Sequence, residues 1–83
     1  MYISSYFREM KNIITIDSAI CNGKPTIRGS RITVQSILEY LSAGETRENI
    51  LIQFPQLSNK DIDACLKFAA DLLGNQYSIR SIA

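Results

Sequence analysis

The chain has 83 residues, 46% of them hydrophobic, and its nine Lys and Arg against eight Asp and Glu leave a net charge of +1. That length holds one small domain of marginal core burial, for which a homodimer is the expected completion. It has no apolar run near the roughly 20 residues that a bilayer-spanning helix needs. With no His, and Cys21 and Cys65 too far apart to form a CxxC pair, the sequence offers neither the usual base and nucleophile combinations nor a metal-ligand set. The expectation is a protein that is not an enzyme, with no cofactor and no metal.

In chain order, residues 1–12 read as a leader or a short helix, because Tyr2, Ile3, Tyr6, Phe7 and Met10 recur at helical spacing. Ser4, Ser5, Arg8 and Glu9 stand where a secretory signal would need an apolar centre, which predicts a cytoplasmic protein with reduced thiols. Residues 13–33 read as a short β segment. The β-branched run from Ile13 to Ile16 is a strand that Asp17 and Ser18 end in a turn, and Thr26 to Arg28 and Arg31 to Thr33 are two further extended pieces. Between them, Gly23 to Pro25 and Gly29 with Ser30 read as chain reversals: glycine supplies positive φ, and proline fixes its own φ and gives up a donor.

Three helices follow, over about 34–43, 47–54 and 59–73. Thr33 is an N-cap for the first, whose Val34, Ile37, Leu38 and Leu41 fall on one face, with Gly44 as its stop. Thr46 caps the second, which turns Ile50, Leu51 and Phe54 inward and ends before Pro55. Ser58 with Asp61 begins the third, lined by Ile62, Leu66, Ala69 and Leu73, with Cys65, Phe68 and Leu72 beside them; Gly74 closes it. Asp63, Lys67 and Asp71 form its opposite, solvated face. The tail, 75–83, reads as an extended arm bearing Tyr77, Ile79 and Ile82. The fold class is therefore α+β and mostly α, a short β segment followed by a three-helix domain. The connection Pro55 to Ser58 has the length of a helix-turn-helix, although any compact three-helix domain needs similar short links.

The stretch from Gly23 to Thr33 holds Lys24, Arg28 and Arg31 with no acid among them, a local cationic patch on a nearly neutral chain. These are the first candidates for DNA phosphate, with Asn59, Lys60 and Lys67 of the third helix as further contacts. The third helix argues against itself, because Lys60 and Lys67 face Asp61, Asp63 and Asp71 for a net of −1. A second role is open for Arg28 and Arg31, as guanidinium forks onto Asp17 or Glu39 that lock the sheet to the first helix. Phe68, Leu72, Tyr77, Ile79 and Ile82 are candidates for a partner-binding surface, since they form more apolar area than a small monomer hides easily.

The residues Gly23-Lys24-Pro25, Ile27-Arg28-Gly29 and Ser30-Arg31-Ile32 with Val34, and then Ala43-Gly44-Glu45, Phe54-Pro55, Leu57-Ser58 and Asp61-Ile62, carry a family resemblance. From residue 13 to about 70 the chain resembles the domain of unknown function 433 family, whose members look like the antitoxin half of VapB-type toxin-antitoxin pairs. The resemblance implies a homeodomain-like or winged helix-turn-helix in a bacterial protein, autoregulatory binding to operator DNA, and neutralisation of a PIN-like ribonuclease toxin. The alternative is a non-catalytic protein-interaction module without DNA binding. Ser18 stands where the family usually has proline, and Asn22 where it often has a second glycine.

Overall fold

The structure, a computed structural model, describes residues 13–76, with the backbone alone for 75 and 76. The readings of residues 1–12 and of Tyr77, Ile79 and Ile82 fall outside the described residues. Strand β1 (Ile14–Thr15) pairs antiparallel with β2 (Thr26–Ile27), Ile14 opposite Ile27 and Thr15 opposite Thr26. An isolated bridge from Thr26 to Thr33 adds a third short edge. Helices α1 (Val34–Ser42), α2 (Arg47–Gln53) and α3 (Asn59–Gln76) complete an α+β, mostly α architecture.

Two loops join the β pieces, and both are built on positive φ. After β1, the Asp17 carboxylate accepts from the Ala19 amide at 2.9 Å, and Cys21, Asn22 and Gly23 then take φ of 51°, 58° and 81°. Three consecutive left-handed residues make one turn of reversed hand, closed by the Gly23 amide on the Ile20 carbonyl and the Lys24 amide on the Cys21 carbonyl. Asparagine tolerates this region better than most side chains, which suits Asn22 to the turn. The second loop reverses at Arg28 and Gly29, where Gly29 has φ 80° and the Ser30 amide reaches the Ile27 carbonyl at 3.0 Å. Its Ser30 hydroxyl donates to the same carbonyl at 2.7 Å and accepts from the Ile32 amide at 3.1 Å.

The three helix starts follow from their caps. Thr33 accepts from the Ser36 amide and Thr46 from the Asn49 amide, while Asp61 reaches back to accept from the Ser58 amide at 2.8 Å. Helix α1 ends as Gly44 takes φ 96°, with the Gly44 amide on the Leu41 carbonyl and the Glu45 amide on that of Tyr40, a Schellman closure. Helix α2 ends before Pro55, and the Leu57 amide on the Phe54 carbonyl tightens the turn into α3.

Ile37, Ile50 and Ile62 are fully buried, one from each helix, and Ile27, Val34, Leu57, Ala64 and Cys65 are also buried. Each large aliphatic withdrawn from water in this way contributes on the order of 2 kcal/mol. Leu38, Leu41, Leu51, Phe54 and Phe68 pack around that centre half-buried.

Helix α3 departs from its expected face and length. Leu66 and Leu73 are exposed, whereas Ala64 and Cys65 are buried, so the inward line runs through Ile62 and Cys65 to Phe68. Gly74 does not close the helix, which continues to Gln76. One glycine costs about 1 kcal/mol relative to alanine inside a helix, too little to end it without a left-handed cap behind it.

Candidate functional site

The cationic stretch is assembled by hydrogen bonds between its two loops. The Cys21 thiol donates to the Arg31 carbonyl at 3.4 Å, and the Val34 amide donates to the Pro25 carbonyl at 2.9 Å. The left-handed turn that leads into Lys24 is thereby held against the loop that carries Arg28 and Arg31. All three cations are exposed. Lys24 has a long contact, Nζ to the Gln35 amide oxygen at 3.5 Å. Neither Arg28 nor Arg31 makes an ion pair among the described residues: Asp17 is occupied by its own turn, and Glu39 accepts from Gln35 at 3.2 Å. The forks onto Asp17 or Glu39 are not formed. What remains is a rim of three exposed positive charges on two loops joined by hydrogen bonds, none of them in an ion pair with a carboxylate among the described residues.

The third helix presents the opposite case. Asn59 lies at its first turn, but its side-chain oxygen accepts from Arg47 Nη1 at 3.2 Å. The same guanidinium places Nη2 2.7 Å from the Asp63 carboxylate, tying the start of α2 to the first turns of α3. Asp63 is thus an inter-helix brace with its side chain 34% exposed, rather than part of a purely solvated face. Lys67 pairs with Asp71 at 3.1 Å across one turn, and Lys60 also has an interaction partner. Asp61 is engaged at the cap. The polar side of α3 is engaged by partners of its own and by Arg47 of α2.

Phe68 and Leu72 come together with residues that the sequence reading did not assign to a partner surface. An open groove of about 390 Å³ runs between α1 and the second half of α3, with Pro25, Leu38, Phe68, Ala69 and Leu72 as its apolar surface. Gln35, Glu39 and Ser42 edge it from α1, and Glu39 is the one charged side chain lining it among the described residues. The signal for Leu38 was present in the α1 pattern, but its role as groove wall depends on where α3 crosses. The brace residue Arg47 had no such signal, because its partners lie beyond the interhelical turn.

The remaining chemistry is slight. Cys65 is fully buried, and that burial, with the Asp61 carboxylate adding to it, pushes the thiol up to about 12. It is a packing residue that stays protonated near neutrality. Cys21 is half-buried and outside any disulfide. Among the described residues no three of His, Cys, Asp and Glu gather into a metal-holding group, and no helix is long and apolar enough to cross a membrane.

A family model described as protein of unknown function DUF433 matches residues 14–69, the β segment, α1, α2 and most of α3. The chain belongs to the DUF433 family. Its structure is similar to the crystal structure, at 2.00 Å resolution, of a DUF433 member protein from Anabaena variabilis ATCC 29413. The two share a TM-score of 0.70 and 25% sequence identity over 96% of this chain and 76% of that one. No curated protein matches the chain. The GKPTIRGSR stretch that forms the cationic rim lies wholly within the matched residues of this DUF433 chain.

Proposed function

We propose that this DUF433 protein is a cytoplasmic, non-catalytic regulator of the antitoxin kind, a homodimer that holds DNA and a PIN-like ribonuclease with different surfaces. The observation that carries the DNA half is the rim of Lys24, Arg28 and Arg31, exposed on two interlocked loops with no carboxylate against them among the described residues. Phosphate contacts by Lys and Arg supply most of the non-specific affinity of DNA-binding proteins. A dimer doubles the rim. In this reading the rim contributes more than Asn59, Lys60 and Lys67, since Asn59 and Lys67 are engaged within the helical layer.

The groove of Phe68 and Leu72 favours the second reading, an interaction module without DNA affinity. Co-expression with a PIN-like nuclease encoded beside this chain, followed by a mobility shift on the upstream duplex, separates the two. The antitoxin reading expects the pair to co-purify, the ribonuclease to be silenced, and the upstream duplex to be retarded. Silencing without retardation leaves the interaction module. Neither one removes both.

A further inference from the structure

Helix α3 has a length that α1 and α2 do not cover. Its 18 residues rise about 27 Å, twice the rise of the nine-residue α1. Ile62, Cys65, Ala69 and Leu72 recur along it at alternating spacings of three and four, the period at which one helix pairs with another. The first half of this seam lies inside the chain's own core, where Ile62 and Cys65 are fully buried. The second half leaves the core: Leu72 is 49% exposed and Leu73 beside it 63%, and α1 runs alongside only as the far wall of the open groove.

We propose that a second copy of this chain closes that groove, the second halves of the two α3 helices crossing antiparallel about a two-fold axis near Ala69, with Leu72 and Leu73 of each copy packed toward Leu38 and Phe68 of the other. The inference rests on the homodimer of the proposed function and names its interface. Charge selects a second copy as the occupant. A two-fold interface sets one patch against its own image, so the patch must not repel itself. None of Leu66, Phe68, Ala69, Leu72 and Leu73 is charged, while Lys67 and Asp71 pair with each other on the other side of the helix. A net charge of +1 leaves two whole chains with little mutual repulsion. The small side chain of Ala69 at the crossing allows the axes to approach to about 8 Å, which brings the leucines of one copy to the groove of the other. Extent sets the strength. Two turns of helix and one groove bury less than the roughly 800 Å² per partner of a standard interface, so the dissociation constant is expected at about 1–100 µM. A groove closed in this way is not open to a nuclease, which then meets another surface of the dimer.

Sedimentation of the full chain alone, without DNA or nuclease, from about 1 to 500 µM tests it, and the mass should pass from monomer to dimer over that range. Leu73→Glu changes an exposed side chain outside the core and should weaken the association at least about tenfold, with the circular dichroism melt of the dilute protein unchanged. Leu72→Glu should weaken it as much, since it also brings a carboxylate to the groove that Glu39 lines. Ile52→Glu is the control: Ile52 of α2 is 74% exposed, more than either leucine, and lies outside the groove, so it should leave the dissociation constant alone. A dimer unmoved in both leucine variants, or weakened as much by Ile52→Glu, overturns the proposal and leaves the homodimer standing with another interface. A chain that stays monomeric at every concentration overturns the proposal and the homodimer together, and leaves the cationic rim to its own test.

Discussion

The loop-rich first part of the domain, residues 13–33, and its helical second part, residues 34–76, dispose of charge in opposite ways. The helical part pairs what it carries: Arg47 with Asp63 and Asn59, Lys67 with Asp71, and Asp61 with the Ser58 amide. The loop part satisfies its backbone with care, through the left-handed turn, the Ser30 hydroxyl and the Cys21 thiol, and leaves Arg28 and Arg31 without an ion pair among the described residues. The helical part also holds most of the buried core, Ile37, Ile50 and Ile62 among it, while the loop part holds the exposed arginines, unpaired among the described residues. The helix that a helix-turn-helix outline nominates has its Asn59, Asp63, Lys67 and Asp71 side chains engaged within the helical part.

The largest expected effect comes from the helical part. Ile62→Ala removes a fully buried side chain at the centre of the core and should cost about 3 kcal/mol, read as a lowered urea midpoint with m unchanged. A cost below about 1 kcal/mol would show that the three helices do not share one core there. The loop part should yield less to a backbone change. Gly23 has φ 81°, and a Cβ there would meet only the Ser18 Cα at 3.7 Å, so Gly23→Ala carries conformational cost without a clash, about 1 kcal/mol in the same assay. If Gly23→Ala were as damaging as Ile62→Ala, the loops would be part of the stabilising core and the contrast between the two regions would fail.

Much of the architecture could be read from residues alone, for local reasons. Thr33, Thr46 and the Ser58–Asp61 pair mark helix starts because each oxygen meets an amide three residues away, and such bonds need no knowledge of the rest of the chain. Gly44 marks a stop for the same kind of reason. The inward face of α3 was not legible, since Ile62, Cys65, Leu66, Phe68, Ala69, Leu72 and Leu73 cover so much of the helix that several stripes fit the period. Where α1 and α2 lie decides among them. Cys21 in the left-handed region was also hidden, because cysteine has no preference for it and the turn is imposed by Asn22 and Gly23 behind it and by the Arg31 carbonyl across from it. The cations of the rim were legible as residues. Their mutual placement was not, because it depends on hydrogen bonds between loops ten residues apart.

The central claim is that the rim of the loop part, and not the helical layer, meets phosphate, and the salt dependence of duplex binding tests it most directly. Arg28→Ala with Arg31→Ala should leave thermal stability within about 0.5 kcal/mol, since both side chains are exposed and without an ion pair among the described residues. The slope of log K against log salt should become shallower by about 0.9 for each phosphate that the variant no longer neutralises, roughly two for the double variant in each protomer bound. An unchanged slope in that variant, together with a shallower one in Lys60→Ala with Lys67→Ala, would contradict the account and return phosphate binding to the third helix.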